Sequence, residues 1–220
     1  MPALPINRIR NWRDCRAFIA ADYHSRSGRR PVFEFLFQPV ARFLVLLRLV
    51  EWFDAIQVPF ILRAPLLLWL RRLSLRLGFS ISLHVLGPGI NLPHYGPLMI
   101  HQDACIGRNC CIHIGTVIAG STRLRDAGDD EEFDAPIIGD NVYIAPGVKM
   151  SGPLIIADDC VIGANSVVTK SFTSPGVTIF GFPAKIVALN GSAGMINRGT
   201  DRVPALQSSH LPTDQRENSP

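Results

Sequence analysis

The feature that most constrains the fold is an aliphatic residue that recurs every six positions through the second half of the chain. A six-residue period fits neither the turn of an α-helix, at roughly 3.6 residues, nor the two-residue alternation of a long β-strand. It predicts a coil with three flat faces, in which each hexad supplies one short strand and one corner. The aliphatic anchors are Ile100, Ile106, Ile112, Ile118, Ile138, Ile144, Met150, Ile156, Ile162 and Val168.

A second pattern in the same segment predicts the corners. Gly or Ala often follows an anchor, as Gly107 does, and small or medium residues such as Ala104 and Cys110 stand four positions after the anchors. Gly, Asn and Asp permit the tight turns of such corners. One coil leaves its apolar interior uncovered, so several coils must stack. A β-sandwich would instead alternate apolar and polar residues between turns about every 8–12 residues, and the sequence lacks that pattern.

Motifs beyond the hexads resemble a known family. The sequence reads LPHYG at 92–96, IAGST at 118–122 and GFPAKIV at 181–187. Residues 78–189 thereby resemble the hexapeptide-repeat acyltransferases, in particular their serine-acetyltransferase-like branch, and residues 32–77 resemble the helical leader of relatives from polysaccharide biosynthesis. The resemblance implies a mainly β fold, a left-handed parallel β-helix with an N-terminal α-helical segment. It also implies a homotrimer with active sites between subunits.

The chain divides into three parts by the texture of its sequence. Residues 1–77 form the N-terminal helical segment, with a short helix expected at Arg8–Tyr23. Residues 78–189 form the β-helix domain. Residues 190–220 are small, polar and proline-containing, and we expect them to form a disordered tail.

Residues 32–77 are strongly apolar, but their uncharged runs are much shorter than the ~20 residues that span a bilayer. Prolines at 39, 59 and 65 are expected to break this segment into pieces. Apolar residues at helical spacing, flanked by arginines, predict amphipathic helices. Such helices pack on a partner or lie on a membrane surface.

Charge and cysteine content limit the partners and the compartment. The net charge of +4 is mild, so we expect an acidic ligand or an anionic surface and no nucleic-acid partner. Residues 1–16 carry four arginines and no apolar core, so we predict no secretory signal. The five cysteines form no CxxC pair, which is typical of buried thiols in a reducing cytosol. We expect a cytoplasmic protein, with peripheral contact at the inner face of the membrane as an open alternative.

His94 is the predicted general base. O-acetylation requires a group that takes a proton from a hydroxyl, and the pKa of histidine lies close to working pH. Eight residues rather than six separate Leu92 from Ile100, and this break in register exposes a side chain at a cleft. His94 also matches the catalytic histidine of the resembled family. The predicted substrate-binding residues are Tyr95, Asn109 and His113.

The resemblance also implies acetyl-CoA as co-substrate. Coenzyme A is an extended, acidic ligand whose narrow pantetheine arm fits a groove lined by small residues. The insertion at 121–136 interrupts the hexads and either covers the cofactor cleft or forms a solvated acidic bulge. The spacing of His94, His101 and His113 matches no metal motif, so we predict no metal site. By resemblance, the cofactor-binding residues are Gly120, Ser121, Pro146, Ala164 and Lys185.

Three departures from the serine-acetyltransferase pattern decide the predicted acceptor. Pro93 stands where the resembled enzymes have Asp, Asn109 replaces another Asp, and Asp134-Ala135 replaces an Arg-His pair. Without counter-charges, the zwitterion of serine carries a large desolvation penalty. We therefore predict an acetyl-CoA-dependent O-acetyltransferase that acts on a sugar hydroxyl in polysaccharide or glycan biosynthesis. The alternatives are a serine O-acetyltransferase of cysteine biosynthesis and a non-catalytic β-helix scaffold.

Overall fold

The structure, a computed structural model, describes residues 8–26, 35–121 and 134–207. Helices occupy the N-terminal part of these residues, and short strands follow them. The long helices are α1 (Trp12–Arg26), α2 (Pro39–Ala55) and α3 (Phe60–Leu77).

The start of α1 is determined by a cap. The backbone N–H of Asp14 donates to Oδ1 of Asn11 at 2.9 Å, which satisfies one of the free donors at the helix N-terminus. The helix therefore begins at Trp12 and extends to Arg26, whereas the expected helix spanned Arg8–Tyr23.

The prolines of the apolar segment mostly begin helices rather than break them. Pro39 opens α2 and Pro59 is the N-cap of α3, where the missing N–H costs no helical hydrogen bond. Pro65 lies inside α3, which continues to Leu77. The helix then ends at Gly78, whose φ of 75° is left-handed and therefore favours glycine.

Short strands form the three faces of a parallel coil. Face 1 contains β1, β2, β5, β8 and β11, face 2 contains β3, β6 and β9, and face 3 contains β4, β7, β10, β12 and β13. Neighbouring strands pair in parallel, except that β13 turns back antiparallel on β12. The strands are β1 (Phe79–Ile81), β2 (Leu98–Ile100), β3 (Cys105–Ile106), β4 (Cys111–Ile112), β5 (Val117–Ala119), β6 (Ile137–Ile138), β7 (Tyr143–Ile144), β8 (Lys149–Ser151), β9 (Ile155–Ile156), β10 (Val161–Ile162), β11 (Val167–Val168), β12 (Thr178–Gly181) and β13 (Ala184–Ala188).

The hexad anchors point into the coil as predicted. All ten are buried, and the strand register stacks them, so that Ile112 lies against Ile144 and Ile144 against Ile162. Full burial of one such side chain contributes roughly 1.5–3 kcal/mol, which makes this stack the main core of the molecule. The predicted fold class, a parallel β-helix with an N-terminal helical segment, is confirmed.

A ladder of short polar side chains supports the corner between faces 2 and 3. Asn109, Asn141 and Asp159 have φ values of 55°, 55° and 57°, a left-handed conformation that Asn and Asp tolerate. Nδ2 of Asn109 donates to Oδ1 of Asn141, and Nδ2 of Asn141 donates to Oδ1 of Asp159, both at 3.1 Å. The corner therefore depends on Asn and Asp for both backbone conformation and hydrogen bonding.

A buried ionic network joins the helices to the first coil. Nε of Arg48 lies 2.9 Å from Oδ2 of Asp22, and Nη1 lies 3.0 Å from Oε2 of Glu51. The same guanidinium donates to the carbonyl oxygens of Leu86 and Gly87 at 2.8 and 2.6 Å. Burial alone would lower the pKa of Arg48, but the charges of Asp22 and Glu51 raise it above its ordinary value. Arg48 therefore remains charged inside the protein.

Residues 190–207 are ordered, which corrects the expected disordered tail. They pack against α1, where the N–H of Gly199 donates to Oγ of Ser25 at 3.1 Å. The approach requires glycine, because a Cβ on Gly199 would collide with the carbonyl oxygen of Ala21. Residues 208–220 lie outside the described residues. The ordered part contains a 3-10 helix at Gly199–Arg202 and α4 at Pro204–Gln207.

Candidate active site

His94 projects from the corner between face 3 and face 1. The two extra residues between Leu92 and Ile100 lengthen this corner, and the side chain of His94 is exposed. Gly96, with a φ of 150°, lies so close to the next coil that a Cβ would stand 3.3 Å from Cγ2 of Ile114. Glycine thus lets the enlarged corner stay against the coil while His94 points outwards. The register break therefore exposes His94, as expected, and its place in a cleft stays a prediction.

Two aromatic side chains continue from His94 along face 3. The ring centroids of His94 and His113 are 5.9 Å apart, and those of His113 and Tyr143 are 5.1 Å apart. Sγ of Cys111 lies 3.8 Å from Nε2 of His113. We call these four residues the His94 cluster. Of its members, Cys111 and Tyr143 were missed, although each immediately precedes an anchor and the hexad register pairs them.

The three residues that accompany His94 in the cluster are held in their uncharged forms. Burial, and secondarily the positive charge of His94, lowers the pKa of His113 below its ordinary value. Burial raises the pKa of Cys111 to about 12, and burial together with the charge of Cys111 raises the pKa of Tyr143. At neutral pH these groups are a neutral imidazole, a thiol and a phenol.

Replacement of His94 by Asn is expected to raise the pKa of His113. Protonated His94 disfavours a second positive charge nearby, so its removal makes protonation of His113 easier. The shift is expected to be partial, because burial is the larger cause and remains. NMR titration of the histidine Cε1–H resonances measures it, with His24→Asn as the control at a distant histidine. An unchanged titration of His113 in His94→Asn would contradict the electrostatic coupling.

Pro146 and Ala164, two of the predicted cofactor-binding residues, occupy the same corner as His94. Each stands two positions after its anchor in successive coils, as His94 stands two positions after Leu92. Both side chains are exposed. The structure therefore brings His94 and these two small residues to one edge of the coil. Their contact with coenzyme A stays a prediction.

Gly120 and Ser121 lie at a different corner, between faces 1 and 2. A Cβ on Gly120 would stand 2.9 Å from the imidazole of His101, so the ring and the glycine are in close contact. The N–H of Ser121 donates to the carbonyl oxygen of Asp134 at 2.6 Å and closes the base of the predicted cofactor loop. Loop residues 122–133 lie outside the described residues. Within one chain, face 1 separates Gly120 and Ser121 from His94.

The remaining predicted residues fall into different surroundings. Tyr95 is exposed beside His94, and Lys185 is exposed on β13, where it pairs with Phe180. Asn109 is buried in the corner ladder, and its Nδ2 also donates to Oγ1 of Thr200 at 2.7 Å. The structure thus removes Asn109 from the predicted substrate-binding residues, because its amide is used inside the protein.

Comparison with known proteins finds serine acetyltransferases among the sequence relatives. Residues 135–170 match the family model of the bacterial transferase hexapeptide (six repeats). The chain is 27% identical over 205 residues to the serine acetyltransferase of Synechococcus elongatus. This match covers 92% of the chain and 74% of the relative. It is 35% identical over 106 residues to the serine acetyltransferase of Staphylococcus aureus strain Mu50. This second match covers 48% of the chain and 46% of the relative, less than half its length.

Solved structures show the same likeness in three dimensions. Serine acetyltransferase from Brucella abortus in complex with coenzyme A superposes with a TM-score of 0.56 at 26% identity, covering 80% of this chain and 67% of that one. Serine acetyltransferase from Neisseria gonorrhoeae in complex with serine gives 0.59 at 26% identity, covering 79% and 67%. The soybean apoenzyme gives 0.62 at 25% identity, covering 79% and 69%. The coil accordingly has the predicted left-handed form.

Proposed function

We propose that the chain is a hexapeptide-repeat acetyltransferase related to the serine acetyltransferases, and that it transfers the acetyl group of acetyl-CoA to the hydroxyl of L-serine. The observation that carries the proposal is the match to a serine acetyltransferase over 92% of the chain. The comparisons also support the enzyme class and co-substrate predicted from the sequence, an O-acetyltransferase that uses acetyl-CoA.

The predicted acceptor, a sugar hydroxyl, is wrong. The relatives and structural neighbours are serine acetyltransferases, and the comparisons do not support a branch in polysaccharide biosynthesis. The prediction rested on Pro93, Asn109 and the Asp134-Ala135 pair, where charged residues of the resembled enzymes are absent. Asn109 and Ala135 are buried in this chain, so neither side chain faces an acceptor. Their identities therefore carried little information about the substrate.

His94 supplies the base in the proposed reaction. The imidazole takes the proton from the serine hydroxyl as the hydroxyl oxygen attacks the thioester carbonyl carbon. The tetrahedral intermediate then loses its C–S bond, and the proton passes from the imidazole to the departing sulfur. The products are O-acetylserine and coenzyme A. Exposure of His94 at the corner gives it access to bound serine, and His113 lies beside it with ring centroids 5.9 Å apart.

The proposed site lies between subunits of a homotrimer. Within one chain, the corner with Gly120 and Ser121 and the corner with His94 lie at opposite ends of face 1. A neighbouring copy packed along a flat face would bring one corner of each chain together. This arrangement supports a shared site in which coenzyme A lies between Gly120 and Ser121 of one chain and the corner of the next chain that carries His94, Pro146 and Ala164.

Release of coenzyme A from acetyl-CoA is expected to depend on L-serine. A thiol reagent measures the release, and mass spectrometry identifies O-acetylserine. L-Alanine is the matched acceptor control, because it has the same ammonium and carboxylate but no hydroxyl. Simple sugars are expected to give no more release than hydrolysis without an acceptor. If L-serine gave no more release of coenzyme A than L-alanine, the proposed acceptor would be overturned.

A further inference from the structure

The helix α3 has two apolar sides, and the coil and α2 bury only one of them. Leu70, Leu73 and Leu77 are buried on the first side. On the other side, Ile61, Leu68 and Leu75 are 83%, 70% and 69% exposed. Because these three residues are spaced seven apart, or about two helical turns, they form a single stripe along the helix. We call them the outer stripe. Large apolar side chains exposed together on one helix face indicate an interaction site.

The charges around the outer stripe are all positive. Arg71, Arg72 and Arg76 are exposed on α3, and the helix contains no acidic residue. The nearby carboxylates of α2 already have partners, since Glu51 binds the buried Arg48 and Asp54 binds Arg63. No carboxylate of residues 8–26, 35–121 or 134–207 forms an ion pair with these three arginines, so this surface combines apolar side chains with uncompensated guanidinium groups.

The geometry points to one occupant, and we propose that α3 docks the protein on an anionic membrane surface. The outer stripe enters the acyl boundary, while the long stems of the arginines let their charged ends reach the lipid phosphates. Trp69, about half exposed on the flank of α3, suits the headgroup level, where tryptophan is enriched. Every described helix is too short or too polar to cross the bilayer.

A two-fold contact between copies of the chain through the outer stripe is unfavourable. A two-fold contact places the same patch on both partners, so Arg71, Arg72 and Arg76 would meet one another across the interface. Like charges brought together in this way are costly. An anionic lipid surface supplies the opposite charge and the apolar phase at the same time. The membrane proposal does not depend on the identity of the acetyl acceptor.

Flotation of the full chain with lipid vesicles tests the proposal. We expect binding to vesicles of phosphatidylcholine with phosphatidylglycerol, weaker binding as salt rises, and little binding to phosphatidylcholine alone. The triple variant Ile61→Gln, Leu68→Gln, Leu75→Gln is expected to bind at least about tenfold more weakly, because affinity scales with buried apolar area. The matched control is Leu189→Gln, at an exposed apolar residue outside the helices, which is expected to bind like the wild type.

Two further measurements separate the possible outcomes. Thermal melting by circular dichroism establishes that each variant is folded, as expected for exposed positions. Replacement of Arg71, Arg72 and Arg76 by Gln is expected to remove the preference for anionic vesicles. Absence of wild-type binding to anionic vesicles, or equal binding by the folded outer-stripe variant, overturns the proposal. If the outer-stripe variant sediments at a smaller mass than the wild type and neither protein binds vesicles, the outer stripe is a contact with a second copy. That result also overturns the membrane proposal.

Discussion

His94→Ala is expected to lower the turnover of acetyl transfer by ~10²–10⁴-fold, the usual contribution of a positioned general base. The side chain is exposed and packs into no core, so the melting temperature and the oligomeric state are expected to stay unchanged. Steady-state release of coenzyme A measures the effect, and KM for acetyl-CoA is expected to change little. The large expected effect follows from the chemistry, because serine hydroxyl is a weak nucleophile until its proton is removed.

The matched control for this experiment is His24→Ala. His24 lies in the last turn of α1, outside the coil and outside the proposed site, so its replacement is expected to leave turnover unchanged. If His94→Ala retained activity within a few-fold of the wild type, His94 would have no part in the proton transfer. The proposed acceptor would be unaffected, since the L-serine assay tests it separately.

Arg48→Met is expected to lower the free energy of unfolding by ~3–5 kcal/mol, as is typical when one partner of a buried ion pair is removed. Asp22 and Glu51 would remain buried without their counter-charge, and the carbonyl oxygens of Leu86 and Gly87 would lose their donor. Urea denaturation followed by circular dichroism measures the loss.

Two further variants test whether the loss of stability in Arg48→Met comes from the burial of unpaired charge or from the loss of an ion pair as such. Arg63→Met removes the partner of Asp54 where both side chains are partly exposed, so a loss of at most about 1 kcal/mol is expected. Asp22→Asn and Glu51→Gln added to Arg48→Met are expected to recover part of the stability, because no buried charge then lacks a partner. A loss below about 1 kcal/mol in Arg48→Met itself would show that the network contributes little.

The coil and the position of His94 were predictable because both depend on local sequence periodicity. The position of each anchor within its hexad determines that it is buried, so the six-residue period is visible in the sequence without knowledge of distant contacts. A break in that period exposes the residue inside it, which identified His94. Pro146 and Ala164, which are predicted to bind coenzyme A, share its corner because they hold the equivalent position in later hexads.

The other members of the site depended on contacts between coils. Tyr143 reaches His113 across a pairing between strands 32 residues apart in the sequence, Cys111 with Tyr143. Asn109 was expected to bind substrate because it stands where the resembled enzymes carry an Asp, yet its amide completes a corner ladder. Ordering of 190–207 likewise arises from small residues that fit against α1, which composition does not reveal.

By itself, the sequence determined that the chain forms a three-sided β-helix and that His94 stands outside its repeat. Periodicity is sufficient for both, since burial repeats with each hexad. Only the tertiary structure decided which side chains surround His94, that Arg48 is buried between two carboxylates, and that one side of α3 remains uncovered. These features arise where segments distant in sequence meet, and the free energy of burial or pairing there depends on both partners at once.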